Sequence, residues 1–459
     1  MLLKFKCSNF KSIKEEIVFN MFAGTYKRHE QHLVGYNEKS ILRAAAIYGA
    51  NGSGKTNILL ALKYLHRLVT QGTRDITDRL NIPIFKLDDC SKIPTKFEVD
   101  FLIQKKRFNY TIEIFENVII KEELYQVTSD SEIVIFKRAY KGKKTSLTIA
   151  PNRNKDEKER LREEIYADEL RENQPFFKES VNKKIVEAVL PFEWFSKVLQ
   201  FVSLDDLLMS SQNKHAIQGL ANTFLSDPDF FIAAKGVILE ANVGISDIRV
   251  EELSLEQVKA KGIDLQSIID TPIVTKSQNL EVIHNGELYS SFRKDGVIKF
   301  AKISTVHKDS HNKDIDFKFS EESKGVQRLF ELLPVIYRSI HKGEVFVIDE
   351  IETSFHPVLI KEIITIYLNA TTQTGQLIFT THESHLLDLD LFRQDEIWFC
   401  EKDKSGYTRL YSLAEFKPRF DKDIRKGYFE GQFGSIPFLG DISKLGNDIF
   451  RCTGKNKNK

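Results

Sequence analysis

The stretch IYGANGSGKTN, Ile47 to Asn57, ends an apolar run, Ala44 to Tyr48, and leads into a helical pattern from Ile58 to Val69. Gly49, Gly54, Lys55 and Thr56 fill the spacing G-x-x-x-x-G-K-[ST], with Gly52 as an additional glycine, in the strand, loop, helix context that a phosphate-binding loop needs. Glycines let the backbone curl so that successive N–H groups face a β-phosphate, while a lysine reaches the β/γ oxygens and a threonine hydroxyl ligates Mg²⁺. A turn that only joined a strand to a helix would not need Lys55 and Thr56 at that spacing. Gly49, Ala50, Asn51, Gly52, Ser53, Gly54, Lys55, Thr56 and Asn57 are therefore the expected nucleotide-binding loop.

The 459 residues are enough for two or three domains, or for one large lobe with insertions, and 41% hydrophobic with 29% charged is the composition of a soluble globular chain. The net charge of +2 comes from 67 basic and 65 acidic residues that are well mixed, so any nucleic-acid surface must be local. Cys7, Cys90, Cys400 and Cys452 lie far apart with no C-x-x-C, which argues against a zinc hook or a disulfide framework and for packing roles in a reducing compartment. The N-terminus, MLLKFKCSNFKSI, carries Lys4, Lys6 and Lys11 among its apolar residues. It lacks a signal-peptide core, and no run approaches the roughly 18 apolar residues of a membrane span. A cytoplasmic protein is expected and an integral transporter is excluded, whereas a nucleotide-binding subunit that serves a separate membrane protein is compatible with this observation taken alone.

Three segments alternate at period two and read as antiparallel strands beside the loop: LLKFKCSNF, KFEVDFLIQ (Lys96 to Gln104) and RFNYTIEIFENVIIKEEL (Arg107 to Leu124). From Asn152 the chain becomes charge-dense and rich in helix formers, with Leu161, Ile165 and Leu170 near helical spacing. Residues 151–240 are read as a mostly helical insertion between two parts of a head, 1–150 and 241–459. This insertion, rather than the head, is expected to carry partner or DNA specificity, although a solvated helical hairpin has the same composition. In LEVIHNGELYSSF, Asn285-Gly286 marks a hairpin turn.

EVFVIDEIETSFHP supplies a second part of the site: an apolar strand, Val345 to Ile348, that ends in Asp349 and Glu350. Asp349 is placed to hold Mg²⁺ through water, and Glu350 to polarise the attacking water. One helix later, the buried strand within QLIFTTHES ends in Thr380, Thr381 and His382, where a histidine can hydrogen-bond a γ-phosphate or the lytic water. Before the acidic strand stands FSEESKGVQRLFELLPVIY. Ser323 and Gly325 open its amphipathic helix, and free N–H groups at a helix N-terminus form an anion site. Because the chain's own loop already cradles its nucleotide, the expected ligand there is the γ-phosphate held by a second copy.

In this order the segments resemble the ABC-type ATPases of the SMC, Rad50 and RecF kind. The resemblance is carried by NFKSI (Asn9 to Ile13), GANGSGKTN, ESKGVQ where a signature LSGGQ falls, VIDEIE with the following TSFHP, and TTHES. More closely, FKLDD, EESKGVQRLF, DEIETSFHP, QLIFTTHESHLLD, DEIWFCEKD and GQFGSIPFL are similar to the compact prokaryotic AAA15 (AAA_21) ATPases, including the RloA or AbiLi type of phage-defence operons. The resemblance implies an α/β head of the ABC type, a mixed β-sheet with flanking helices plus an antiparallel subdomain and the helical insertion. It also implies ATP and Mg²⁺ as ligands, with Lys11 of NFKSI joining Gly49–Asn57 at the nucleotide and Thr56 and Asp349 at the metal. Glu350 becomes the general base, His382 the γ-phosphate sensor, and Ser323 and Gly325 act in trans. Lys324 departs from the pattern by standing where the first glycine of LSGGQ falls; a lysine facing a triphosphate is electrostatically compatible. Gln104, at a strand end, is the candidate for a Q-loop glutamine.

Two functions follow. In one, the chain is an ATP-driven sensor or scaffold that pairs with itself as a homodimer or higher homo-oligomer and controls a separately encoded effector such as a nuclease. In the other, it is a RecF- or Rad50-like repair clamp that binds DNA directly. A nuclease of the OLD kind would need a Toprim domain, for which the stretch after His382 is short. The DLD at Asp388–Asp390 is expected to be a surface loop.

Overall fold

Ala44–Tyr48 is a strand buried at every residue, because it lies inside a parallel sheet covered on both faces. The computed structural model describes residues 1–129, 131–142, 144–150, 156–203, 224, 227–263, 281–294, 296–370 and 374–435. The central sheet runs in the order Leu199–Ser203, Val345–Asp349, Gln376–Thr380, Ala44–Tyr48, Ile397–Lys402 and Thr408–Ser412. The first five strands are parallel and the last is antiparallel to its neighbour. Register pairs Ile47 with Thr380 and Tyr48 with Phe399. Gly49, Glu350 and Thr381 therefore leave the sheet from its carboxyl edge, where open α/β sheets bind ligands.

Period two divides the strands between two cores. Ala45, Ile47, Val345, Val347 and Ile378 face the helix Lys55–Gln71 and the first antiparallel sheet. Ala46, Tyr48, Phe346, Ile348 and Phe379 face the helices Lys324–Lys342 and Pro357–Asn369. Gln376 joins the chain's start to this frame: its Oε1 accepts from Leu2 N at 2.5 Å, and its Nε2 donates to Leu2 O at 2.9 Å and Leu42 O at 2.8 Å.

The first antiparallel sheet is a seven-stranded meander that runs from Lys144–Ile149 at one edge, through Thr95–Ile103 and Leu2–Ser8, to Ile17–Asn20 at the other. The alternating segment from Arg107 to Leu124 is two strands, Lys106–Phe115 and Val118–Val127, because Glu116 turns the chain with φ 53°. A five-stranded sheet holds the expected hairpin. Asn285 and Gly286, at φ 51° and 83°, join Glu281–His284 to Glu287–Lys294 in the two-positive-φ turn that Asn-Gly favours.

The described parts of residues 151–240 hold helices at Glu157–Glu169, Phe176–Asn182, Val186–Glu193 and Pro228–Glu240. They do not stand apart from the head, however. Leu199–Ser203 pairs in parallel with Val345–Asp349 as an edge strand of the central sheet. Trp194 stacks on Phe101 at 4.4 Å, and the Glu122 carboxylate accepts from Phe176 N at 2.7 Å and Phe177 N at 2.8 Å. The stretch read as a helical insertion thus also lends an edge strand to the central sheet, and its five residues, LQFVS, are too few to announce a strand among helix formers. Cys7, Cys90 and Cys400 are free and buried, while Cys452 lies outside the described residues. No described helix is long and apolar enough to cross a membrane.

Candidate functional site

The loop after Tyr48 closes against a strand that is distant in sequence. A Cβ on Gly49 would stand 2.2 Å from Cys400 O, and one on Gly54 would stand 2.1 Å from Thr408 Oγ1. Gly54 also has φ 109°, so contact and backbone both require glycine there. Thr408 Oγ1 donates to Ser53 O at 2.9 Å and shares a 2.7 Å hydrogen bond with Ser12 Oγ. Thr408 N donates to Ser12 O at 2.8 Å, and Asn57 Nδ2 donates to Ser12 Oγ at 2.6 Å. Ser12 and Thr408 therefore brace the loop from behind. They are residues that the motif does not name.

Lys55 opens the helix and is only 5% exposed. Its Nζ donates to Gly49 O at 2.8 Å and Ala50 O at 3.3 Å and lies 2.9 Å from His382 Nε2. Burial lowers its pKa. Burial, and then the nearby Lys55 charge, likewise lower the pKa of His382. A neutral imidazole that accepts from the ammonium at Nε2 satisfies both groups. Ser53 Oγ is buried without a partner, and Thr56, Asn51 and Gly52 are exposed at the mouth of the loop.

On the neighbouring strands, Thr380 sets both acids. Its Oγ1 donates to Asp349 Oδ1 at 2.5 Å and accepts from Glu350 N at 2.8 Å. Glu350 has φ 49°, a left-handed backbone that turns its half-exposed carboxylate toward His382, with Oε1 at 3.8 Å from Nε2. Lys55, Asp349, Glu350 and His382 are thus brought together. A triphosphate fits this set: a glycine cradle with no room for a Cβ, an orphaned Ser53 hydroxyl, and a lysine held by carbonyls and an imidazole. Thr56 and Asp349 carry the side-chain oxygens that would hold Mg²⁺ beside such a triphosphate. Among the described residues no group of three or more His, Cys, Asp or Glu could hold a metal.

Ser323 caps the helix Lys324–Lys342, its side chain accepting from Val326 N at 3.3 Å. Ser323 and Lys324 are exposed, and the first turn carries no acid. A Cβ on Gly325 would stand 2.9 Å from Ser354 O, so the helix start abuts the turn that follows Glu350. Gln327 braces the tip from within by donating to Phe319 O at 3.1 Å and Glu322 O at 2.9 Å. Among the described residues no hydrogen bond or ion pair joins Ser323, Lys324 or Gly325 to Gly49–Asn57.

Two residues sit away from this cluster. Lys11, at φ 49°, donates its backbone N–H to Pro83 O at 2.5 Å and borders a cavity of about 650 Å³ with Lys63, Arg67 and Arg79. Its neighbour Ser12 is the one that reaches the loop. Gln104 lies in the turn after Ile103, beyond the Leu2↔Phe101 pair, whereas NFKSI follows the opposite, Ser8↔Lys96 end of those strands. The DLD acids are engaged on the surface, Asp388 with Lys361 and Asp390 with Arg28, each at 2.8 Å, beside a cavity of about 1290 Å³.

One sequence family, AAA_21, described as "AAA domain, putative AbiEii toxin, Type IV TA system", matches residues 44–388, from the loop strand through the strand end at His382. The chain belongs to the AAA_21 family. The matched stretch is described as an AAA domain, and it holds the P-loop Gly49–Thr56 with Asp349–Glu350 and His382 at one sheet edge. The SMC head domain from Thermotoga maritima is 13% identical over 90% of this AAA_21 chain and 98% of that one, with a TM-score of 0.37. An SMC head bound to the C-winged helix domain of ScpA is 15% identical over 91% and 99%, at 0.39. A Pyrococcus furiosus Smc head with an extended coiled coil, bound to the C-terminal domain of ScpA, is 12% identical over the same shares, at 0.36. No curated protein matches the chain.

Proposed function

We propose that the chain binds ATP with Mg²⁺ and hydrolyses it between two copies of itself, as a sensor or scaffold that controls a separately encoded effector, such as a nuclease, in antiviral defence. The observation that carries this reading is the contrast between a buried, braced loop around Lys55 and an exposed helix start at Ser323 that has no bond to it. In this reading the loop N–H groups and Lys55 hold the β- and γ-phosphates, with Lys55 leaving Gly49 O and His382 to do so. Thr56 and Asp349 would hold Mg²⁺, which would supply positive charge between the phosphates. Glu350 takes the proton of the attacking water, and His382, released from Lys55, hydrogen-bonds the γ-phosphate. Ser323 and Gly325 of the second copy complete the phosphate's surroundings. The toxin–antitoxin context of the family description supports the defence role. A second reading, direct DNA binding, draws support from the basic cavity of Lys11, Lys63, Arg67 and Arg79.

Glu350→Gln tests the pairing. The amide cannot take the proton but keeps the size of the side chain, so ATP is bound without turnover and the two copies stay joined. Light scattering should show a doubled mass for Glu350→Gln with Mg-ATP, and Ser323→Arg added to it should return the single mass. A mass that ignores ATP, or a double variant that still pairs, rejects the shared site. Retention of duplex DNA by the wild type, lost on Lys63→Glu/Arg67→Glu, would favour the second reading.

A further inference from the structure

The turn after Glu350 carries a third acid, Glu352, to which no motif gives a role. Its backbone holds the turn, with Phe355 N donating to Glu352 O at 2.9 Å and Thr353 N donating to Glu350 O at 3.0 Å. Its side chain crosses to the next strand end, where Oε1 accepts from the backbone N–H of His382 at 2.5 Å. The last N–H before that, Thr381 N, still bonds within the sheet frame, to Ile47 O at 3.0 Å. His382 is thus the first residue past the ladder, and the carboxylate takes over where the ladder stops. The bond is charge-assisted and short, the kind that fixes a geometry.

The other oxygen, Oε2, is buried without a partner, and so is the hydroxyl of Tyr48, the residue just before Gly49. Leaving a buried carboxylate oxygen unpaired is costly, and a residue kept only to end a strand could be a serine or threonine at less cost. The same turn presents Ser354 O to Gly325. Glu352 therefore sits between the helix start that would meet a second copy and the histidine that would meet the phosphate.

We propose that Glu352 is a positioning residue, which holds the backbone of His382 so that its ring stays between Lys55 and Glu350. This rests on the hydrolytic reading of the site given above. Removing the carboxylate frees the His382 peptide while leaving the loop around Lys55, and hence nucleotide binding, in place.

The test uses the full chain, with the Kd for Mg-ATP measured beside kcat. Glu352→Ala should lower kcat about tenfold or more with Kd unchanged. Glu352→Gln, which keeps an acceptor oxygen, should recover most of that loss. In a His382→Ala background, Glu352→Ala should add nothing, because both changes remove one device. Wild-type turnover in Glu352→Ala, or a loss that adds to that of His382→Ala, overturns the proposal. If the alanine variant does not fold, Glu352→Asp, shorter by one methylene, carries the same expectation and the same overturning results. Full turnover in His382→Ala alone would instead reject the reading of the site, and the proposal with it.

Discussion

The two sides of the site are built differently. Around Lys55, the loop is pressed against the strand ends of Cys400 and Thr408, glycines at 49 and 54 leave no room for a Cβ, and Ser12, Thr408 and Asn57 form a closed set of hydrogen bonds behind it. At Ser323, one helix start faces solvent, capped by its own hydroxyl and steadied by Gln327. The first is preorganised, so phosphate binding need not reorder the backbone. Under the proposed pairing, the second is one half of a site whose other half is a phosphate held by a second copy.

Three substitutions separate the two sides, from the largest effect to the smallest. Lys55→Ala should abolish ATP binding in titration calorimetry, since it removes the cation from a pocket that already buries it. Unchanged affinity would mean that the braced loop is not the phosphate cradle. Thr408→Val strips the bond to Ser53 O and leaves the Ser12 pair broken, at a cost of about 1–3 kcal/mol in denaturant unfolding and with weakened ATP affinity. A stability loss without an affinity loss would make the brace structural only. Ser323→Ala removes one exposed cap and should lower stability by about 0.5–2 kcal/mol. It should leave the affinity of a single chain for ATP unchanged; a drop there would mean that the helix start belongs to the same copy's nucleotide.

What could be read from the sequence was what is local. The loop, the acidic strand and the Thr-Thr-His strand end each place their chemistry within a few residues, and the Asn285-Gly286 turn needs only its own φ angles. Ser12 and Thr408 escaped because 396 residues separate them and a serine and a threonine carry no pattern. Thr380 stood in view, but that one hydroxyl sets Asp349 and the Glu350 backbone depends on strand register. Leu199–Ser203 was hidden by its neighbours: Trp194 and Phe195 sit in a helical turn at the end of a charged segment, yet pack into the core of the head. That strand borders the one that ends in Asp349, so the stretch expected to be an insertion also helps to frame the site.

The central sheet also dictates an order of assembly. All seven strands of the first antiparallel sheet lie between Leu2 and Ile149, so that sheet is complete early in synthesis. Ala44–Tyr48 emerges among them, but the strands that flank it, Gln376–Thr380 and Ile397–Lys402, come more than 300 residues later. At about 5–20 residues per second, the loop strand waits on the order of tens of seconds with both edges unpaired. During that interval an apolar, edge-open strand is exposed to other nascent chains. Slow refolding from denaturant, a sharp concentration dependence of its yield, and protection by a chaperone during translation are the expected behaviour of a chain whose nucleotide loop is made first and seated last.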